Sequence, residues 1–309
     1  MSEPLVVLVG PTAVGKTALA VELCRRFGAE VVSADSVQVY RGLDIGSAKP
    51  TPDERAAAPH HLIDVVEPEE EFDAARFAAL ADAAVADIRA RGRRVLVAGG
   101  TGLYLRALLY GLAPLPPVDR ALREELARQW EARGPEAMHA RLADLDPESA
   151  ARLHPHDRQR VLRALEVCLQ TGRPLSQHQA EHGFRRPRYD FLAIGLRRPR
   201  EELARRIEVR CRRMWEQGLV EEVRRLLAAG VPPAARSLGS LGYAQVVRML
   251  SGELSPADAL AEQVHKTRAY AKRQLTWFRA MEGIHWHSAE DREGVMARVA
   301  EVWPLGGDT

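Results

Sequence analysis

The chain has little cysteine, very little lysine and no long apolar run. Its three cysteines, Cys24, Cys168 and Cys211, are far apart and form no CxxC pair, which argues against a disulfide framework and against a zinc site. No stretch approaches the roughly 18 to 20 consecutive apolar residues that span a membrane, and residues 1–10 lack the basic start of a signal peptide. We therefore expect a cytoplasmic protein that makes no contact with membranes.

Positive charge is carried almost entirely by arginine, since only Lys16, Lys49, Lys266 and Lys272 are lysines. This bias can be a matter of composition alone. The arginines nevertheless cluster, and the clusters cover residues 152–163, 185–200 and 205–213. Clustered basic side chains are typical of a surface that contacts a polyanion such as nucleic acid, but solvated helix faces explain them equally simply. Composition leaves both interpretations open.

Apolar periodicity predicts alternating strands and helices in the first hundred residues. Strands are expected at 5–9, 30–34, 61–65 and 94–98, and helices at 16–27 and 74–91. Strands that alternate with helices indicate an α/β fold with a doubly wound parallel sheet.

This pattern ends at the proline-rich segment 113–118, after which residues 120–170 read as charged helices. Strand character returns only at 189–196. We therefore expect a helical insertion domain within a sheet domain. The predicted parts are a first core part at 1–113, the insertion at 114–188, a second core part with the last strand and C-terminal helices at 189–285, and a tail at 286–309. A monomer is sufficient for this organisation.

Residues 10–17 match the phosphate-binding loop (P-loop) pattern G-x-x-x-x-G-K-[ST] between a strand and a helix, which is the context that the motif requires. The loop residues are Gly10, Pro11, Thr12, Ala13, Val14, Gly15, Lys16 and Thr17. The glycines let backbone N–H groups face an anion at the positive end of the helix. Lys16 can reach the outer phosphate and Thr17 can bind Mg²⁺. The motif predicts a Mg²⁺-dependent site for a di- or triphosphate.

A P-loop does not tell which bond breaks. Kinases and NTPases usually place an acidic residue at the end of a neighbouring strand, but the strand at 94–98 ends in Gly-Gly-Thr-Gly. Asp64, near the end of the third strand, could bind the metal instead, or it could be a satisfied strand-end aspartate. A P-loop small-molecule or nucleotide kinase remains an alternative, as does an RNA-binding switch without catalysis.

Asp35 comes directly after the second strand. Ligands of open α/β sheets bind in the crevice beyond the carboxyl ends of the strands, so a carboxylate here can act as a general base. Gln38 can hydrogen-bond the edge of a nucleic-acid base. An aspartate that caps a turn is the alternative interpretation of Asp35. The segment at 41–50, punctuated by glycine and proline, is too long for a plain connector.

Several long blocks resemble one family. GPTAVGKT, ADSVQVYRGLDIGSAKP, PHHLID, AGGTGLYLRALL, HPHDRQRVLRALEV, SLGYAQ and AKRQLTWFR occur in this order between about residues 5 and 286. They resemble the tRNA dimethylallyltransferases, the bacterial tRNA isopentenyltransferases. One departure is Ser47, where threonine is expected, and the hydroxyl group is retained.

The resemblance implies transfer of the dimethylallyl group from dimethylallyl diphosphate to N6 of the adenosine at position 37, beside the tRNA anticodon, with release of diphosphate. Since the diphosphate is then the leaving group, no acid after the fourth strand is needed. By this resemblance Asp35 takes the proton from N6. Lys16, Thr17 and Arg210, with Mg²⁺, stabilise the departing diphosphate.

The resemblance also implies a set of residues that contact tRNA. They are Asp35, Ser36, Val37, Gln38, Thr101, Arg123, Gln159, Arg160, Val161, Leu162 and Arg163. The target nucleotide would be flipped out of the anticodon loop to reach the P-loop crevice. Each arginine of this set can also be a plain surface residue.

Overall fold

The computed structural model of the protein describes residues 3–184 and 186–304. These residues form two compact units. The first takes in the chain up to Leu109 and from Arg188 onward, and the second is Tyr110–Pro187. The expected insertion has bounds of 114–188, and its role as a tRNA-binding domain stays a prediction.

The first unit contains a parallel sheet, which in the described part of the chain has six strands. They are β1 (Leu5–Val9), β2 (Ala29–Ala34), β3 (His60–His61), β4 (Arg94–Gly99), β5 (Phe191–Arg197) and β6 (Ile284–Ser288), in the spatial order β3-β2-β4-β1-β5-β6. Every neighbouring pair is parallel. β1 is fully buried, as expected for an uninterrupted apolar run in the middle of a parallel sheet. The α/β fold with a parallel sheet is therefore confirmed.

The helices of the described residues include the two that periodicity predicts at 16–27 and 74–91. In chain order the helices are α1 (Lys16–Phe27), α2 (Pro52–Ala57), α3 (Ala74–Ala90), α4 (Gly102–Tyr110), α5 (Arg120–Leu145), α6 (Pro147–Arg152), α7 (Arg158–Thr171), α8 (Leu175–His182), α9 (Arg200–Glu216), α10 (Leu219–Ala228), α11 (Tyr243–Leu250), α12 (Pro256–Arg279) and α13 (Arg292–Ala300). No helix among the described residues combines the length and the hydropathy that crossing a membrane requires.

Two stretches differ from the expectation. The third strand, expected at 61–65, has only two residues, because Leu62 and Asp64 adopt positive φ angles of 63° and 59° and the chain cannot stay extended there. Residues 286–304, within the segment expected as a tail, instead contribute to β6 and α13. Trp303 is fully buried and its indole N–H donates to the Pro4 carbonyl at 3.0 Å.

Each unit has its own apolar core. In the first, one core cluster includes Leu19 and Leu23 of α1 together with Ile207 and Cys211 of α9. In the second, α5 and α7 supply the core, which includes Leu126, Trp130, Met138, Leu142, Val161 and Leu165. The three cysteines are free and buried. Burial raises the pKa of Cys24 to about 12, so this thiol is not a nucleophile at neutral pH.

Candidate active site

The P-loop turns sharply between β1 and α1. Gly10 and Gly15 have φ angles of 149° and 111°, which side chains rarely allow. A Cβ atom on Gly10 would lie 2.8 Å from the Leu196 carbonyl oxygen of β5. Both glycines are therefore required by geometry, and the loop opens α1 without a side-chain cap on its N-terminal N–H groups. Such free N–H groups at a helix start are suited to an anion.

Lys16 crosses its own loop. Its Nζ donates to the carbonyl oxygens of Gly10 and Pro11, both at 2.9 Å. Burial lowers the pKa of Lys16 to about 8, the charge of Arg210 adds to this effect, and Asp35 opposes it. The ammonium group is thus partly desolvated and ready for a stronger, anionic partner.

Arg210 of α9 and Asp35 belong to the same electrostatic cluster. Burial lowers the pKa of the Arg210 guanidinium, and the Asp35 carboxylate counteracts it. Across residues 3–184 and 186–304, neither Lys16 nor Arg210 forms an ion pair with a carboxylate. Two cations and one acid from three separate segments therefore lie close enough to influence one another's charge.

Asp35 also caps a turn. Its Oδ1 accepts hydrogen bonds from the N–H groups of Val37 at 2.9 Å and Gln38 at 3.2 Å. The Ser36 N–H donates to the Thr101 hydroxyl at 3.1 Å, so the turn is tied to the glycine turn after β4. The two readings of Asp35 are compatible, because one carboxylate oxygen holds the turn and Oδ2 accepts no hydrogen bond from the residues described.

One face of α12 lies across both loops. Gln274 accepts from the Thr12 N–H at 2.8 Å and donates to the Gly100 carbonyl at 2.9 Å. Tyr270, one turn earlier, hydrogen-bonds Thr101, while burial and the nearby Asp35 charge raise its pKa to about 12. Trp277 packs so closely on Gly102 that a Cβ there would lie 2.2 Å from the indole nitrogen. The block AKRQLTWFR contains Gln274 and Trp277 and directly follows Tyr270, and the spacing of 270, 274 and 277 indicates a shared helix face, but the sequence alone did not predict these roles.

Two further arginines support the P-loop from outside and were also missed. Arg198 donates from Nε to the Val14 carbonyl at 2.9 Å, and Arg206 donates from Nε to the Ala13 carbonyl at 2.9 Å. Ala13 has a φ angle of 63°, a conformation that non-glycine residues adopt at a cost. These bonds fix the two loop carbonyl groups toward the arginine side chains.

The chain matches a known family over most of its length. Residues 38–281 fit the family model described as IPPT, IPP transferase. The chain belongs to the IPP transferase family. The resemblance inferred from the sequence blocks is therefore confirmed.

Curated relatives and solved structures agree with this family. The tRNA dimethylallyltransferase of Syntrophobacter fumaroxidans is 50% identical over 301 residues, which cover 97% of this chain and 88% of the relative. That of Anaeromyxobacter dehalogenans (strain 2CP-C) is 52% identical over 298 residues, with 96% and 98% covered. The tRNA isopentenylpyrophosphate transferase from Bacillus halodurans has a TM-score of 0.73 at 37% identity, with 97% of each chain covered. A eukaryotic dimethylallyltransferase, described as acting on tRNA, has a TM-score of 0.79 at 28% identity. This match covers 97% of the present chain and 78% of the eukaryotic chain.

Asp64, left open as a metal ligand in this IPP transferase chain, is engaged in ion pairs. Its carboxylate accepts from Lys49 at 2.5 Å and from Arg55 at 2.9 Å. Burial by itself raises the pKa of Asp64, but the hydrogen bonds and charges of Lys49 and Arg55 outweigh it and lower the pKa. The structure thus favours the reading of a satisfied aspartate.

The arginines expected to contact tRNA in the helical unit are also paired. Arg123 and Arg163 both bind the buried Glu166 carboxylate, at 3.0 Å and 2.8 Å. Arg160 pairs with Asp157 at the start of α7. Their side chains remain partly or mostly exposed.

The apolar members of the expected contact set lie deeper. The Val161 side chain is fully buried in the core of the helical unit, and Leu162 is half-buried against it. Gln159, on the first turn of α7, is exposed. We keep Gln159 and the arginines, rather than Val161, as candidate side-chain contacts.

The residues present fit a magnesium ion that is held mainly by substrate. The described residues contain no group of three histidine, cysteine or acidic side chains that could hold a metal. Thr17, half-buried on the first turn of α1, offers one hydroxyl oxygen. Mg²⁺ commonly takes one or two protein oxygens, with phosphate oxygens and water completing its shell.

Proposed function

We propose that this chain transfers the dimethylallyl group of dimethylallyl diphosphate to N6 of the adenosine at position 37 of certain tRNAs, and releases diphosphate. The observation that carries the proposal is the cluster of Asp35 with Lys16 and Arg210, which combines a diphosphate cradle with a carboxylate at the same edge of the sheet. Family membership supports the same reaction. Action in the cytoplasm as a monomer is part of this proposal.

The reaction needs both halves of the cluster. The N6–C1 bond forms, the C1–O bond breaks, and its electron pair leaves with the diphosphate. The proton from N6 goes to Asp35, whose Oδ1 is fixed by the turn at Val37 and Gln38. Lys16, Arg210 and the N–H groups of the P-loop stabilise the charge that grows on the leaving group.

Thr17 would hold Mg²⁺ against the diphosphate oxygens, where the ion supplies charge neutralisation for the leaving group. Lys16 and Arg210 would contact the same diphosphate oxygens. Because neither cation has a carboxylate partner within the described part of the chain, both can turn to the substrate without breaking an ion pair.

A kinase reading has less support. A kinase would need a carboxylate to hold Mg²⁺ and position an acceptor hydroxyl. β4 ends in glycines, and Asp64 is held by Lys49 and Arg55. Asp35, in contrast to Asp64, forms no ion pair among the described residues, which suits proton removal from an amine.

Recognition of tRNA is assigned to two groups of residues. Residues 35–38 and Thr101 lie in the first unit beside the cluster, where a flipped-out adenine would be read. The exposed Gln159, Arg160 and Arg123 and the partly exposed Arg163 of the helical unit would contact the RNA backbone.

The test is to incubate the protein with tRNA, dimethylallyl diphosphate and Mg²⁺, digest the RNA, and look for a prenylated adenosine by mass spectrometry. We expect N6-dimethylallyladenosine in tRNAs with adenosine beside the anticodon, and none when that adenosine is replaced by guanosine. ATP hydrolysis or a phosphorylated small molecule, without modified RNA, would sink the proposal.

A further inference from the structure

The segment 41–50, which is too long for a plain connector, is hydrogen-bonded by a residue of α10, a helix that is distant in sequence. The Glu222 carboxylate, on the first turn of α10, accepts from the N–H groups of Asp44 at 3.2 Å, Ile45 at 2.8 Å and Gly46 at 3.3 Å. It also accepts from the Tyr243 hydroxyl at 2.7 Å. Glu222 is 1% exposed, so its charge is balanced almost wholly by this loop and by the N-terminus of α10.

The loop also makes a close steric contact with Tyr243. A Cβ atom on Gly46 would lie 2.5 Å from the Tyr243 ring, so the loop backbone is pressed against α11. Burial and the Glu222 charge raise the pKa of the Tyr243 phenol, which therefore stays a hydrogen-bond donor. No lysine or arginine in the described ranges pairs with Glu222, so loss of a loop N–H leaves a buried charge undersatisfied.

The same loop orients Gln38. The Gln38 amide nitrogen donates to the carbonyl oxygens of Ser47 at 3.3 Å and Ala48 at 3.2 Å, directly after the turn that Glu222 holds. The amide oxygen accepts from the Ser33 hydroxyl at 3.1 Å. The Gln38 backbone N–H in turn donates to Asp35 Oδ1 at 3.2 Å.

A second anchor keeps the loop closed. Lys49, whose side chain is 4% exposed, donates to the Tyr40 carbonyl at 2.7 Å and to Asp44 at 2.6 Å. The Ser47 hydroxyl donates to the Leu43 carbonyl at 2.5 Å. The loop is thus held together by its own hydrogen bonds, and the Glu222 carboxylate fixes its position against α10.

We propose that Glu222 is a positioning residue for transfer to the adenine, acting through loop 44–48 on Gln38 and the Asp35 turn. This inference rests on the proposed function. Glu222 would not touch either substrate. Its carboxylate holds the acceptor side of the site, whereas the P-loop, held by Gln274, Arg198 and Arg206, does not depend on it.

The test is the isosteric variant Glu222→Gln, which keeps one acceptor oxygen but replaces the other, and with it part of the loop N–H bonds, by an NH₂ donor. With saturating dimethylallyl diphosphate we expect kcat/KM for tRNA to fall about 100-fold, the usual cost of a misplacement of about 1 Å. The affinity for inorganic diphosphate with Mg²⁺, measured by calorimetry, should stay within twofold. Glu221→Gln is the matched control, because Glu221 is exposed and pairs only with Arg224 among the described residues; its kinetics should equal those of the wild type.

A double-mutant cycle separates positioning from mere stability. If Glu222 acts through Gln38, Glu222→Gln should cost little more in a Gln38→Ala background, whereas independent roles would give additive losses. Ser47→Ala probes the loop itself, away from the buried charge, and should lower kcat/KM for tRNA in the same direction if Glu222→Gln is too unstable to assay. Normal kinetics of folded Glu222→Gln with only a lower Tm, additive losses in the cycle, or an unaffected Ser47→Ala would overturn the inference. A wild-type protein that does not modify tRNA would instead overturn the proposed function.

Discussion

Cations beside the P-loop and cations on the helical unit are held in opposite ways. Lys16 donates only to two carbonyl oxygens, and Arg210 has no carboxylate partner within the described residues. On the helical unit, Arg158 pairs with Glu131 at 3.0 Å and Arg160 pairs with Asp157. The first group is desolvated and unpaired, whereas the second is more exposed and neutralised.

The difference indicates two kinds of anion binding. A desolvated cation without a counterion is costly in the free protein, and a bound diphosphate relieves that cost. An exposed ion pair contributes only about 0 to 1 kcal/mol to stability. An RNA phosphate can therefore replace the carboxylate as the partner of such an arginine, but the net gain in binding free energy is small. We expect a specific, strong site at the P-loop and a weak, salt-sensitive one on the helical unit.

The largest effect should come from Asp35→Asn. The amide oxygen can still accept from Val37 and Gln38, so the turn stays, but the base is lost. We expect kcat to fall by about 10²- to 10⁴-fold in single-turnover assays on tRNA. Diphosphate affinity should change little, and near-normal turnover would remove Asp35 from the chemistry.

Next in size are Thr17→Ala and Arg210→Gln. Each should cost about 2 to 4 kcal/mol in transition-state stabilisation, because each deletes one group that faces the leaving diphosphate. The measurement is kcat/KM for dimethylallyl diphosphate at saturating tRNA. Arg212→Gln, two residues away, exposed and paired with Glu208, serves as the control. A variant that loses only tRNA affinity would assign its residue to the RNA surface and break the comparison.

A pH series tests the desolvated state of Lys16. Its pKa in the folded protein is about 8, below the ordinary 10.5, so the free protein loses this charge as pH rises above about 8. Diphosphate affinity should then fall by up to about tenfold per pH unit. Lys16→Met should bind weakly at all pH values and show no such slope.

Stability must be separated from binding in that series. Between about 8 and 10.5 the unfolded chain carries more protons at Lys16 than the folded one, so this residue makes unfolding harder as pH rises. Loss of diphosphate binding in this window cannot therefore come from Lys16-linked unfolding. A wild-type affinity that stays flat from pH 7 to 10 would contradict the assignment.

The smallest effect is expected on the helical unit. Arg158→Gln combined with Arg160→Gln should reduce the slope of log K against log salt for tRNA by up to about 2, and leave diphosphate binding intact. Arg163 is better kept, because its removal weakens the pairing of the buried Glu166. Unchanged tRNA affinity at physiological salt would redirect the RNA path, for example toward the basic residues of α12.

Local signals sufficed for the P-loop and the sheet core. Gly10, Gly15 and Lys16 act through backbone angles and short-range bonds that a motif encodes, and β1 is an unbroken apolar run. β6 was not predicted because its sequence, IHWHS, contains no unbroken apolar run. In the folded protein this strand is half-exposed. The short β3 was overestimated because the turn at Leu62 and Asp64 depends on positive φ angles in residues that rarely adopt them.

The residues that support the site could not be read in this way. Gln274 is 262 residues from Thr12, and Glu222 is 177 residues from Ile45. Such pairs are defined by the folded sheet rather than by local spacing. Asp35 stood out through its place after a strand, but its hydrogen bonds to the turn, and their link to Thr101, required the three-dimensional structure.

Strand order also governs how the chain is made on the ribosome. β1 is synthesised first, yet it pairs on one side with β4 and on the other with β5. Residues 100–190 must be translated between these partners, which takes about 5 to 20 s at about 5 to 20 residues per second. Throughout that interval one edge of the most buried strand has no partner from its own chain, and such edges invite pairing with other nascent chains. The four helices α5–α8 have a core of their own. They are synthesised in this interval and can fold before β5 is available to pair with β1.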